Sequence, residues 1–220
     1  MKEQVCSLQQ MEKQLFKLNE RVIDYSDLVQ SYVIFPLLKN QGFYLRYKNY
    51  IRNGGITCSG GEPLLQFEFL IELFKKLKAK GIHTCIDTSG MVGLTDKMKE
   101  LIDLTDLFLM DVKHIDPDKC KDLVGFSNER ELAFIRYLSD IGKPMWIRQV
   151  LVPGYTDKEE DLIKLKEFLA TLKTVDKVEI LPYHDMGRFK WEQLGLEYPL
   201  DGVRVANNED VERAKKLLGV

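Results

Sequence analysis

From Gly55 onward, short runs of β-branched and long apolar residues alternate with longer stretches of helical period. The runs are Ile56 to Ser59, His83 to Thr88, Leu107 to Lys113, Met145 to Val152 and Lys177 to Tyr183, each ending near a polar or glycine-containing loop. Between and after them, the period predicts helices over Leu64 to Lys80, Thr95 to Leu104, Asn128 to Ile141, Asp157 to Leu172 and Asn208 to Leu218. Pro63 suits a first helical turn, Gly81 and Gly142 follow the last periodic residues, and Asp157 stands where an N-cap is expected. In the first helix Leu70, Leu73, Phe74 and Leu77 make one apolar stripe, and Lys75, Lys76, Lys78 and Lys80 form a solvated face. A strand followed by a helix, repeated in units of about 25 to 35 residues, predicts an α/β chain whose parallel sheet is covered by helices.

Residues 1 to 54 read differently. Helix-like stretches run near Gln9 to Val22 and Ser26 to Leu38 with a break at Pro36, and Tyr44 to Arg52 leads into the first clear strand. No confident strand stands out there.

Composition narrows the picture. The 220 residues are 45% hydrophobic, enough for one domain with a substantial core. With 32 Lys plus Arg against 34 Asp plus Glu, the charge is too balanced for nucleic-acid binding driven by phosphates. Val33 to Leu38 is the longest wholly apolar stretch, far short of the roughly 20 residues of a membrane-spanning helix. Met1 to Phe16 lacks the apolar segment of a secretory signal, so the protein reads as cytoplasmic, without a membrane or nucleic-acid partner. Cys6, Cys58, Cys85 and Cys120 are widely spaced, with no CxxC pair, and in a reducing compartment they are expected to stay unpaired thiols.

In parallel α/β folds, functional groups gather at the C-terminal ends of the strands. Here those ends carry Ser59-Gly60-Gly61-Glu62-Pro63, Asp87-Thr88-Ser89-Gly90, Asp111-Val112-Lys113-His114, Arg148-Gln149 and His184-Asp185. Alternation puts Asp111 and Lys113 on one face, and Cys85 with Asp87 on one face of their strand. A rim with two carboxylates, an ammonium, a guanidinium and an imidazole is either a ligand site or a self-neutralising network, and five strands delivering such groups together favour the site. The paired glycines let backbone approach a ligand closely, and Glu62 offers an acceptor.

Taken together, these segments resemble the pyruvate formate-lyase activating enzymes of the radical S-adenosylmethionine superfamily. The resemblance is carried by Gly54 to Gln66 around the Gly60-Gly61-Glu62 turn, by GIHTCIDTSG at 81 to 90 and by DLFLMDVKHI at 106 to 115. It continues through LVGFSNERELAFIRYL at 123 to 138, WIRQVLVPGYTD at 146 to 157 and VEILPYHDMGRFKWEQLGLEYPLDGV at 178 to 203. It implies a partial (β/α) barrel over residues 44 to 220 that binds S-adenosylmethionine at its rim. The activity implied is placing a radical on a glycine of a glycyl-radical partner such as pyruvate formate-lyase, with an electron donor such as flavodoxin. By this resemblance Gly60, Gly61 and Glu62 receive the methionine amino group, Asp111, Val112 and Lys113 line the cofactor, and His184 lies on its adenosyl side. Asp87, Thr88 and Asp111 match positions that hold a monovalent cation beside the cofactor carboxylate, and Arg148 is a further candidate of the cofactor site.

One departure stands out. The family's CxxxCxxC loop, which binds a 4Fe-4S cluster, does not occur in this sequence, and each cysteine from Cys58 on reads as a buried structural thiol. Residues 1 to 43 do not resemble the family, so the expectation is a divergent helical segment in place of the first βα unit, with Gln9 to Leu38 covering the exposed sheet edge. Two function classes follow: a glycyl-radical activating enzyme whose cluster-bearing unit is lost, altered or provided by another polypeptide, so that this chain alone is expected to be incomplete for catalysis, or a cluster-free module that binds the cofactor or docks on the partner.

Overall fold

Five parallel strands form one sheet in simple sequence order, β1 (Gly55–Cys58), β2 (His83–Thr88), β3 (Leu107–Val112), β4 (Met145–Leu151) and β5 (Val175–Pro182). They are seen in a computed structural model that describes residues 54–220, the side chain of Lys190 excepted. The expectations for the first 53 residues, two helices and a covered edge in place of a first unit, lie outside the described residues.

Each strand returns to its neighbour through helices: α1 (Phe67–Lys78) after a 3-10 turn at Pro63–Gln66, α2 (Asp96–Leu104), α3 (Pro117–Val124) with α4 (Glu129–Asp140), and α5 (Glu159–Ala170). Two more, α6 (Arg188–Gln193) and α7 (Asn208–Leu218), follow β5. A sheet wound in one direction by such crossovers keeps its helices on one face and curves as an open barrel.

The register separates the two faces. Ile86 pairs with Phe108, Thr88 with Met110, and Met110 with Ile147, and these side chains are buried against the helices. The predicted stripe Leu70, Leu73, Phe74 and Leu77 of α1 joins the same core, and Phe108 meets Phe134 of α4 edge to face at 6.0 Å. The other face runs Cys85, Leu107; Asp87, Leu109, Trp146; and Asp111, Arg148, Glu179 along successive rungs. Its side chains from β3 and β4 are half-buried, so this concave face carries the polar groups.

Two short helices escaped the pattern for identifiable reasons. Among the residues of α3 only Cys120 is buried, so no apolar period marks it, and α6 is too short at 6 residues to show one. Asp157 is not the cap of α5, which starts after Lys158 without a side-chain cap. Its carboxylate instead accepts from the Gly154 backbone N–H at 2.7 Å and from Arg213 at 2.9 Å, closing the turn after β4.

The segment after β3 is held by Asn128, whose buried amide donates to the carbonyls of His114 and Ile115, both at 2.7 Å. Asn128→Ala would orphan both acceptors, and the expected loss is about 2 kcal/mol in urea unfolding.

Candidate functional site at the strand ends

The chain leaves β1 through Gly60 and Gly61, with φ of 102° and 45°, a left-handed path that a side chain at either position would strain. The turn delivers Glu62 to the N-terminus of the 3-10 segment, where its Oε1 accepts from the Leu64 N–H at 3.0 Å. The same oxygen accepts from the Thr88 hydroxyl at 2.5 Å, and Oε2 accepts from Ser89, backbone N–H at 3.0 Å and hydroxyl at 2.6 Å. Four donors therefore converge on one carboxylate, which ties the β1 loop to the β2 loop. Gly90 completes the tie: its N–H donates to Thr88 Oγ1 at 2.9 Å, and its φ of 69° would strain any other residue there.

Beside this loop pair, Arg148 lies between two carboxylates. Its Nε donates to Asp111 Oδ1 at 2.8 Å and its Nη2 pairs with Asp87. Lys113 Nζ reaches the other Asp111 oxygen at 2.9 Å, and Ser59 Oγ donates to the other Asp87 oxygen at 3.1 Å. The chain Ser59–Asp87–Arg148–Asp111–Lys113 thus crosses four strand ends. The side chains of Asp87, Arg148 and Asp111 keep 17, 18 and 20% of their exposure, so their attractions are less screened than those of surface pairs. Burial raises the pKa of Asp87, and Asp111 adds to this while Arg148 and Ser59 oppose it. Such a rim can accept a ligand bearing both an ammonium and a carboxylate, exchanging internal pairs for external ones.

The other predicted residues divide. The Val112 side chain is buried in the helix-facing core, so only its backbone can reach the rim. The Thr88 hydroxyl is already engaged by Glu62 and Gly90. His184 is exposed in the segment after β5. Sequence reasoning missed Ser59 and Ser89 as members of this network, and Glu179 as its neighbour on the same face. Strand alternation could have found Glu179, which shares a rung with Arg148 and receives Lys177 Nζ at 2.5 Å.

It also missed Glu131 of α4, a carboxyl with no exposure whose pKa burial pushes up to about 8. Asp111 adds to that rise and Lys113 opposes it. The sign of the consequence is definite. Unfolded, Glu131 ionises near 4.5, whereas folded it keeps its proton until about 8, so folding binds a proton in that window. Stability is lost as pH rises from 4.5 through about 8, at up to roughly 1.4 kcal/mol per pH unit from this group. Urea unfolding at pH 6, 7 and 8 should show this slope in the wild type and lack it in Glu131→Gln.

The described cysteines do not suit a cluster. Cys58, Cys85 and Cys120 are buried free thiols, and burial pushes Cys58 up to about 12 and Cys120 up to about 11, against thiolate formation. Cys58 shares its rung and face with Ile86, whereas Cys85 is paired with Thr57 on the opposite face. Among the described residues no three His, Cys, Asp or Glu side chains converge as a metal-ion group.

Comparison with known proteins defines the class. Residues 45–165 match the Radical SAM superfamily model, and the chain is a member of that superfamily. Within it, the chain is 53% identical over 180 residues to the pyruvate formate-lyase-activating enzyme of Streptococcus mutans, covering 79% of this chain and 68% of that protein. The enzyme of that name from Staphylococcus epidermidis is 53% identical over 177 residues, covering 77% and 70%. A crystal structure of a domain of the pyruvate-formate lyase-activating enzyme from Bacteroides vulgatus superposes with a TM-score of 0.63 at 28% identity, covering 76% of this chain and 93% of that one. The chain belongs to the pyruvate formate-lyase-activating enzyme family.

Proposed function

We propose that the strand-end rim binds S-adenosylmethionine and that the protein serves radical activation of a glycyl-radical enzyme such as pyruvate formate-lyase, in the cytoplasm and with a flavodoxin-like electron donor. The observation carrying this reading is the half-buried Asp87–Arg148–Asp111–Lys113 chain beside the Gly60-Gly61-Glu62 turn, in a chain 53% identical to a pyruvate formate-lyase-activating enzyme. When bound and given one electron by an external donor, S-adenosylmethionine would supply the radical chemistry that removes hydrogen from a glycine.

The protein's own residues bind and orient. The Gly60–Gly61 turn presents backbone to the ligand's ammonium, with Glu62 holding the turn through its four internal donors. Lys113 and Arg148 face the ligand carboxylate, His184 takes the adenosyl side, and the backbone of Asp111 to Lys113 forms the wall between them. A monovalent cation held by the carboxylates of Asp87 and Asp111, with Thr88 contributing its backbone alone, would share those carboxylates with the Arg148 guanidinium, so raising sodium or potassium should change the affinity for S-adenosylmethionine.

A 4Fe-4S cluster belongs to the family's chemistry, but the three described thiols, Cys58, Cys85 and Cys120, do not suit one, and no step is assigned to it. The burial of those three thiols supports a second reading, a cluster-free module that binds the cofactor or docks on the glycyl-radical partner. Anaerobic reconstitution with iron and sulfide, followed by iron quantitation and EPR of the dithionite-reduced protein with and without S-adenosylmethionine, separates the two. A folded protein that binds S-adenosylmethionine but takes up no cluster supports the module. A stoichiometric 4Fe-4S signal that shifts with S-adenosylmethionine establishes the activating enzyme and overturns the reading of the cysteines.

A further inference from the structure

His184 opens the segment that follows β5, and among the described side chains from 184 to 203 none is buried. Met186, Phe189, Leu194 and Leu196 stand exposed there, so the segment has no core of its own to fix it. Contacts around one ring take that place. Tyr198 and Tyr183 share a hydrogen bond between their hydroxyls at 2.8 Å, Trp191 of α6 meets the Tyr198 ring edge to face at 6.1 Å, and the Arg188 guanidinium lies 5.8 Å from its centroid. The partners are themselves anchored. Tyr183 is buried, donates its N–H to the Leu151 carbonyl of β4 at 3.1 Å and accepts from the Ala206 N–H at 3.0 Å. Arg188 donates its backbone N–H to the Asp185 carbonyl at 2.9 Å, and its guanidinium pairs with Asp201 at 2.7 Å. Tyr198 therefore touches the residue before His184 and the residue that closes the turn after it, and so brackets His184 and Asp185 from both sides.

We propose that Tyr198 is a positioning residue for the adenosyl side of the strand-end site, fixing through Tyr183 and Arg188 the path on which His184 is presented. An exposed imidazole on a segment without a core must be ordered when it meets a ligand, and ordering it beforehand removes that cost from binding. The hydroxyl pair suits the role because it joins the end of the sheet, at Tyr183, to the return of the segment, at Tyr198. The inference rests on the reading that the rim binds S-adenosylmethionine with His184 on its adenosyl side, and it goes further by assigning a role to a side chain outside the rim.

The test compares wild type, Tyr198→Phe, Tyr183→Phe and the double variant by thermal unfolding and by amide-shift titration with S-adenosylmethionine and with methionine. Phenylalanine at 198 keeps the ring that Trp191 and Arg188 contact and removes only the hydroxyl. Each single variant is expected to bind S-adenosylmethionine about 5-fold more weakly and methionine within about 2-fold of wild type, because only the adenosyl side is affected. In Tyr198→Phe the ligand-free His184 amide resonance should move, while those of β1 and β2 stay. Each single variant leaves one hydroxyl without its partner and should melt lower. The double variant removes both hydroxyls and should regain part of the melting temperature without regaining affinity. Unchanged affinity in Tyr198→Phe, an equal loss for methionine, or affinity that returns with stability in the double variant would each overturn the proposal. Wild type that binds neither ligand removes the S-adenosylmethionine reading instead; the His184 amide, read without ligand, then decides for or against the Tyr198 coupling.

Discussion

Arg148→Ala is expected to abolish measurable S-adenosylmethionine binding, a loss of at least about 100-fold, and to destabilise the fold by about 3 kcal/mol. The guanidinium is the group that both Asp87 and Asp111 contact, and its removal leaves two half-buried carboxylates facing each other with Lys113 and Ser59 as their remaining partners. Removing one partner of a fully buried ion pair costs about 3 to 5 kcal/mol, and the residual exposure of this cluster places the expected value at the low end. Arg148→Lys keeps the charge but loses the planar fork that engages two carboxylates at once, so it should recover only part of either property. Pairing Arg148→Ala with Asp87→Asn removes one of the repelling charges, and the double variant should be more stable than the single one. Acidification should narrow the same deficit, because protonating Asp87, whose pKa burial already raises, ends the repulsion. Urea unfolding at pH 7.5 and pH 5 checks these statements, and equal deficits at both pH values would show that repulsion is not the cause.

Glu62→Ala is expected to cost about 3 kcal/mol and to weaken S-adenosylmethionine binding by roughly 10- to 100-fold. Its carboxylate accepts from Leu64, Thr88 and two groups of Ser89, and alanine leaves all four donors without that acceptor. The half-buried Ser89 hydroxyl can turn to water, whereas the Thr88 hydroxyl is buried and the backbone amides of Leu64 and Ser89 are fixed, so most of the loss comes from these three. Glu62→Gln preserves the shape but turns an amide NH2 toward donors whichever way it is oriented, and should cost about half as much. Hydrogen exchange reads the effect locally: the Leu64 and Ser89 amides should lose protection in Glu62→Ala while those of β4 keep theirs. Uniform loss across the sheet would mean that the variant unfolds globally and that Glu62 is not a local tie.

Much of this was legible in the sequence. The five strands appear where the apolar runs place them, with ends displaced by up to two residues, because a parallel sheet with one face on helices demands a periodic buried face. The rim was legible for a similar reason, since Asp87, Asp111, Lys113 and Arg148 all stand at strand ends with the same facing. Pairing was not legible. Nothing along the chain tells that Glu62 spends its acceptors on Thr88 and Ser89, because those partners are set by the approach of two loops. Glu131 was hidden by its place in the first turn of a helix, where an acidic residue is normally a solvated one favoured by the dipole. Helix α3 was hidden because capping by Asp116 through the Asp118 and Lys119 amides, rather than an apolar stripe, defines it.

Calorimetric titration of the folded protein with S-adenosylmethionine, run beside Arg148→Ala, tests the central claim most directly. One saturable site per chain, displaced by S-adenosylhomocysteine and lost in Arg148→Ala, is the predicted result. A folded wild type with no saturable binding, or an Arg148→Ala variant that binds equally well, would contradict the assignment of the rim.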